Sequence, residues 1–143
     1  MKHFSIISKT YWKQNSSMKD IVARYDIEQL VDEFYRRIRE DDMVGFIFTD
    51  IVKIDWEKHL PVMYDFWDNI IFLSGKYTCN PMDLHKTLHN IRPINNKHFS
   101  RWLEVFLDTV DDLFEGENAE LAKQRAKNIT SIIREKVILQ KNI

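Results

Sequence analysis

Apolar residues recur every three or four positions along four stretches of the chain, which is the spacing of one face of an α-helix. These stretches are 26–39, 56–74, 97–114 and 119–137. Asp26 and Asp55 stand where the first two helices are expected to begin and can cap them, and Gly75 is expected to end the second. Pro61 lies in the second turn of that helix and is expected to bend it.

Two shorter segments separate these helices. Residues 43–48 are apolar around Gly45 and predict a corner packed with aromatic side chains. Pro81 can open a short helix that carries His85, because proline is tolerated at the first helical position. Residues 90–96 contain proline and asparagine and predict a loop. The pattern therefore predicts a compact bundle of about five helices.

The composition agrees with an all-α fold, because three glycines and three prolines in 143 residues are too few for many strand turns. This length suits one domain, which we place at residues 18–143. Residues 1–17 are read as an extension that the fold does not need, since Met18 is itself a plausible start. One cysteine, Cys79, allows no internal disulfide and suggests a reducing, cytoplasmic setting.

Charge and hydropathy exclude two classes of partner. Lys plus Arg number 21 and Asp plus Glu number 22, so the net charge of −1 favours neither nucleic acid nor an anionic membrane. The apolar run 70–73 stops far short of the roughly 20 residues that a membrane span requires.

Polar-tipped side chains lie on the inward stripes of three predicted long helices and on the short one: Tyr35, His59, Trp102 and His85. Taken singly, each is most simply a core residue whose polar atom bonds to a neighbour. Four such groups in one small domain each need a buried partner or cost about 1–3 kcal/mol. A shared polar ligand would satisfy several of them together.

The motifs narrow the choice of ligand. No Glu-x-x-His pair, His-Glu-x-x-His motif, glycine-rich phosphate loop, nucleophile elbow or thiol-enzyme pattern is present. His85 and His89 have zinc-ligand spacing, but no third ligand is evident. A haem makes the best use of one histidine on one side and a Tyr/His/Trp cluster on the other.

An ordered set of motifs from about Asp20 to Val137 resembles the group III truncated haemoglobins. The motifs are Phe34-Tyr35, Val44-Gly45-Phe46-Ile47-Phe48, Trp56-Glu57-Lys58-His59-Leu60-Pro61, Phe66-Trp67, Asn80-Pro81-Met82-Asp83-Leu84-His85 and His98-Phe99-Ser100-Arg101-Trp102-Leu103. Phe46 departs from the family pattern, in which proline is common at this corner.

The resemblance implies a truncated globin fold, a 2-on-2 helical sandwich around haem b, which is iron protoporphyrin IX. It implies that His85 is the proximal iron ligand and that Tyr35, His59 and Trp102 form the distal pocket. Phe48 would pack on the haem face, and Met63 joins the cofactor-binding set. His98 is the competing proximal ligand, although its place at a helix start also suits an exposed or capping role.

The resemblance implies binding of O₂, NO or another small haem ligand. Two or three hydrogen-bond donors around such a ligand predict slow release, which suits redox chemistry more than carriage. Activity as an NO dioxygenase or peroxidase would also need an electron donor. The alternative is a helical protein-interaction module without a ligand.

Overall fold

Four α-helices form the part of the chain that the computed structural model describes, which is residues 18–48, 54–75 and 95–141. They are α1 (Arg24–Glu40), α2 (Trp56–Phe72), α3 (Asn96–Leu113) and α4 (Glu117–Lys141). No strand occurs within those ranges. The all-α prediction is confirmed. The predicted short helix with His85 and the extension at 1–17 lie outside the described residues.

The helices pack as two pairs. α1 lies against α2, and α3 lies against α4, while contacts between α1 and α3 and between α2 and α4 join the pairs face to face. This is the predicted 2-on-2 arrangement. The interface is filled by apolar side chains from every helix, including Ile27, Leu30, Val31, Phe34, Ile38, Trp67, Ile71, Phe106, Val110, Ala122 and Ile133. None of the helices within the described ranges is long and apolar enough to span a membrane.

The start of α1 differs from the prediction. The helix begins at Arg24, and Asp26 caps it from inside the first turn instead of from the position before it. The Asp26 carboxylate accepts hydrogen bonds from the backbone N–H groups of Val22 and Ala23, at 2.9 and 3.1 Å. The Lys19 ammonium, 2.8 Å from the same carboxylate, completes this cap. A carboxylate near a helix N-terminus also interacts favourably with the helix dipole.

The observed end of α2 also lies earlier in the chain than the predicted end. The helix begins after Asp55, as predicted, but the Asp55 side chain forms no capping hydrogen bond, and the helix continues through Pro61. It ends at Phe72, because Leu73 adopts the left-handed conformation with φ 55°, before Gly75 is reached. Leu73 therefore takes the terminating role that the sequence assigned to glycine.

Gly45 allows the predicted corner to form. Val44, Ile47 and Phe48 are buried there. A Cβ atom at Gly45 would lie 2.6 Å from the Arg39 carbonyl oxygen, closer than real Cβ contacts. The corner can therefore turn back against the end of α1 only because residue 45 has no side chain.

The N-terminus of α4 is capped by a residue distant in sequence. The Asp20 carboxylate accepts hydrogen bonds from the backbone N–H groups of Asn118 and Ala119, each at 2.9 Å. The Asn118 side chain donates in return to the Ile21 carbonyl at 2.7 Å. Gly116, with φ 144°, leaves room for the Asp20 carboxylate, since a Cβ there would lie 2.4 Å from its Cγ. These contacts attach the segment before α1 to the start of α4.

Candidate functional site

The first feature of the site is a contact between a tyrosine and a histidine on neighbouring helices. Tyr35, on the inward face of α1, is only 3 % exposed. His59, in the first turns of α2, is half-buried and points its Nε2 at the Tyr35 hydroxyl oxygen, 3.4 Å away. The two rings meet edge to face with their centroids 5.3 Å apart. The structure therefore brings together two of the residues predicted for the distal pocket.

Burial fixes the charge state of this pair. Removal from water raises the pKa of the Tyr35 phenol above its usual value and lowers the pKa of the His59 imidazole. Both groups are therefore neutral near pH 7. The phenol keeps its proton and can donate a hydrogen bond, while the neutral imidazole has one nitrogen that donates and one that accepts.

Trp102 and Phe48 extend the same aromatic cluster. The half-buried Trp102 on α3 is nearly parallel to Phe34, with an interplanar angle of 13° and centroids 6.2 Å apart. Phe48 approaches Trp102 edge-on at 6.4 Å. Phe34 itself contacts Tyr35 at 4.9 Å. The aromatic rings on α1, in the corner and on α3 thus form one continuous cluster of ring contacts.

A cavity of about 60 Å³ lies between these rings and α4. Aromatic and aliphatic side chains form most of its lining, which consists of Phe34, Tyr35, Met63, Phe66, Trp67, Phe99, Trp102, Leu103, Phe106, Ala126, Ile129, Thr130 and Ile133. Three of the predicted site residues, Tyr35, Met63 and Trp102, are in this lining. His59 and Phe48 are placed beside it, through their contacts with Tyr35 and Trp102.

Two residues that the sequence did not assign to the site contact its polar pair. The Trp56 ring lies 5.3 Å from the Tyr35 ring and 5.6 Å from the His59 ring. The Arg39 guanidinium lies 4.5 Å from the centre of the Trp56 ring. Trp56 precedes His59 by one helical turn, which was a usable signal. Arg39, near the end of α1, is half-buried.

Of the two candidate proximal histidines, the described residues include only His98. Its Nδ1 accepts a hydrogen bond from the Asn95 backbone N–H at 3.0 Å, as part of the box that caps α3. The capping role expected for His98 is confirmed, and one of its two ring nitrogens is thereby used. His85 and His89 lie outside the described residues.

Comparison with known proteins identifies the family. A model of the family described as bacterial-like globin matches residues 19–136 of this chain.

The chain belongs to the bacterial-like globin family.

The same comparisons relate this globin to a named protein and to a solved structure. It is 25 % identical over 115 residues to the group 3 truncated hemoglobin ctb of Campylobacter jejuni, covering 78 % of this chain and 88 % of the relative. The crystal structure of the group III truncated hemoglobin from Campylobacter jejuni superposes with a TM-score of 0.71 at 26 % identity. That match covers 84 % of this chain and 95 % of the other. The predicted resemblance to group III truncated haemoglobins is confirmed, and haem-based binding of small gaseous ligands follows from the family.

The residues of this globin fit a haem chemically. A flat macrocycle needs apolar surface, and the cavity lining supplies mostly aromatic and aliphatic side chains. The neutral phenol of Tyr35 and the indole of Trp102 belong to that lining, and the neutral imidazole of His59 contacts Tyr35. Its volume is below the roughly 300–1,000 Å³ of common small-molecule pockets, but a water needs only about 10–15 Å³. The cavity therefore has room for a small gas molecule beside Tyr35.

Proposed function

We propose that this globin binds haem b with His85 as the proximal iron ligand, and that Tyr35, His59 and Trp102 act on the gas bound on the opposite side. The observation that carries the proposal is the Tyr35–His59 contact of 3.4 Å at the edge of an aromatic-lined cavity. Phe48 and Met63 complete the set as apolar contacts for the macrocycle.

Haem iron, when bound, supplies a coordination position for a diatomic gas and one-electron redox chemistry. On the proximal side, a neutral His85 would offer one ring nitrogen to the metal, and its other ring N–H would donate to a nearby carbonyl to fix the ring orientation. His98 is a poorer ligand because its Nδ1 caps α3 and its ring contacts Phe46 at 5.8 Å.

On the distal side, the Tyr35 hydroxyl is the central donor. Tyr35 lines the cavity, whereas His59 adjoins it through the hydroxyl. We infer that His59 carries its proton on Nε2 and donates to the Tyr35 oxygen. The Tyr35 O–H is then free to donate into the cavity, and the second bond strengthens it as a donor.

Two donors at one gas molecule favour slow release. Tyr35 and Trp102 both line the cavity, and each hydrogen bond to a partly charged oxygen is worth about 1.5–3 kcal/mol. A ligand held in this way suits a reaction on the bound gas, such as NO dioxygenation or peroxide reduction, more than carriage. Both reactions consume electrons, so we propose that a separate electron donor serves this globin.

The absorption spectrum of the protein, as purified and after haem is supplied, tests haem binding directly. We expect a Soret band and, in the ferrous state, a histidine-ligated spectrum. His85→Gly should abolish that ligation, and added imidazole should restore it, because imidazole replaces the missing side chain. His98→Gly and His89→Gly are matched controls and should keep the spectrum of the parent protein.

Two outcomes would contradict the proposal. A protein that takes up no haem would support the ligand-free interaction module instead. A His85→Gly protein that keeps histidine ligation without imidazole, while His98→Gly loses it, would move the proximal ligand to His98. For the choice between enzyme and carrier, NO consumption by the oxygenated protein with a reductase present should exceed that of free haem.

A further inference from the structure

Arg39 connects the helical turn that carries Tyr35 to the first residue of α2. Its guanidinium lies over the Trp56 ring at 4.5 Å, well within the roughly 6 Å range of cation–π attraction. Its Nε–H also donates to the Tyr35 backbone carbonyl, at 3.3 Å. One side chain therefore holds the end of α1 and the start of α2 in a fixed relation.

Trp56, Tyr35 and His59 form a closed triangle of rings. The centroid distances are 5.3 Å between Trp56 and Tyr35, 5.6 Å between Trp56 and His59, and 5.3 Å between Tyr35 and His59. Each ring contacts both of the others. The His59 imidazole consequently has Tyr35 and Trp56 as two separate aromatic neighbours.

The hydrogen bond alone does not explain the position of His59. The 3.4 Å separation of Nε2 and the Tyr35 oxygen is beyond the usual 2.7–3.2 Å for such bonds. A bond of that length is weak, and a half-buried imidazole could trade it for water. Packing against Trp56 therefore contributes to the orientation of the imidazole, and Arg39 in turn fixes Trp56.

We propose that Arg39 and Trp56 are positioning residues that hold the His59 imidazole against the Tyr35 hydroxyl. This inference rests on the proposed function for its purpose, since the pair is what would prepare Tyr35 to donate to a bound gas. Arg39 and Trp56 act through His59 and Tyr35. Replacing either residue should change the surroundings of the bound gas and leave the ligation of the iron by His85 intact.

Arg39→Gln is the test variant, because it removes the cation and keeps a side chain of similar length. In NMR spectra, we expect the His59 ring-proton signals, assigned with His59→Gln, to move toward those of an exposed histidine. In the haem-loaded protein, we expect O₂ release to accelerate by about two- to tenfold, the effect of weakening one hydrogen bond without removing it. Trp56→Leu should have the same two effects.

Three further variants distinguish a positioning role from a general loss of structure. Arg39→Lys keeps a cation and Trp56→Phe keeps an aromatic ring, so both should restore most of the parent behaviour. Arg36→Gln is the matched control, since Arg36 is an exposed arginine on the same helix, paired with Glu33 and Glu40. It should change neither the His59 signals nor gas release.

The proposal is wrong if Arg39→Gln leaves the His59 signals in place, or if Arg36→Gln moves them equally. The NMR measurement can be made on the chain with or without haem. A chain that takes up no haem would therefore overturn the proposed function, while the His59 signals would still decide the role of Arg39 and Trp56.

Discussion

Tyr35 combines three features that bear on ligand binding. It is buried, it lies 3.4 Å from an imidazole that burial keeps neutral, and its ring forms part of a cavity wall. A buried hydroxyl without a good partner costs about 1–3 kcal/mol. The long contact to His59 satisfies it only in part. A ligand in the cavity would supply the missing partner.

Tyr35→Phe should therefore weaken gas binding while leaving the fold nearly unchanged. Removing a donor worth about 1.5–3 kcal/mol should accelerate O₂ release roughly 10- to 150-fold. Stopped-flow measurement of O₂ dissociation from the ferrous protein provides the check. Tyr64→Phe is the control, because the Tyr64 hydroxyl donates to Asp32 at the surface. Equal release rates in the parent and Tyr35→Phe proteins would remove Tyr35 from the site.

For single residues, the sequence identified polar side chains at positions where the helical pattern expects apolar ones. Tyr35, His59 and Trp102 were recognised because a polar atom on an apolar stripe requires an explanation. Arg39 and Trp56 were not assigned to the site, because an arginine near a helix end is usually solvated and its contact with an indole depends on where the next helix begins. The role of His85 stays a prediction.

The spacing of apolar residues predicted the four helices, but it did not predict the residues at which they begin and end. The predicted starts and ends lie within a few residues of those observed. The differences arise where a cap depends on geometry that spacing does not encode. Asp26 caps α1 from its third position, and Leu73 adopts a conformation that usually favours glycine. The Asp20 cap of α4 could not be predicted, since its partners lie 98 and 99 residues away.

Asp20→Ala should destabilise the protein through α4. It removes the acceptor for two backbone N–H groups at the start of α4, and loss of an N-cap costs about 0.5–2 kcal/mol. Urea unfolding followed by circular dichroism measures the change. Asp20→Asn, which keeps an acceptor oxygen, should cost less. Asp42→Ala, at an exposed position in the turn after α1, should be nearly neutral. An Asp20→Ala protein as stable as Asp42→Ala would contradict the capping role.

Over the whole molecule, ion pairs connect the helices around the apolar core. Arg24 pairs with the buried Asp68 on α2, Arg37 with Asp112 on α3, and Arg101 with Asp41 at the end of α1. Apolar periodicity cannot reveal such pairs, because either partner alone appears to be an ordinary surface charge. These pairs join α1 to α2 and α1 to α3, and α1 also packs against both of these helices in the core, so the pairs reinforce one arrangement of these helices.

Acid should destabilise the fold through its carboxylates. Hydrogen bonds from Arg36 and Arg37 lower the pKa of Glu33 to about 2, from a usual value of 4.5. For Asp41, burial is the largest single effect and raises the pKa, but the hydrogen bonds from Arg101 and from the backbone N–H groups of Met43 and Val44 together outweigh it and lower the pKa. A group whose pKa is lower in the folded state releases its proton more readily there, so its stabilisation is complete above the unfolded pKa. That stabilisation is lost as pH falls from about 4.5 toward 2.

The measurement is the free energy of unfolding between pH 7 and pH 3. We expect it to decrease below pH 4.5, and we expect Glu33→Gln to decrease less steeply because residue 33 no longer titrates. Glu135→Gln, at an exposed position on α4, is the control and should keep the parent slope. A Glu33→Gln protein with the parent slope would contradict this assignment.

A chain shortened to residues 18–143 should keep its fold and its haem. The contacts that fasten the N-terminal segment within the described residues involve Lys19, Asp20 and Ile21, all of which remain. Thermal unfolding and haem uptake of the shortened chain provide the check. Loss of either would show that residues 1–17 belong to the domain. A chain that begins at Val22 should be clearly less stable, because it lacks the Asp20 cap.

The Asp20 cap also bears on the order of folding. Asp20 precedes the N–H groups that it binds, in the first turn of α4, by 98 and 99 residues. Closing so long a loop costs entropy before any contact compensates for it. The cap of α4 is therefore completed only when the segment before α1 returns to it, and this step joins two segments that are distant in sequence into one cooperative unit.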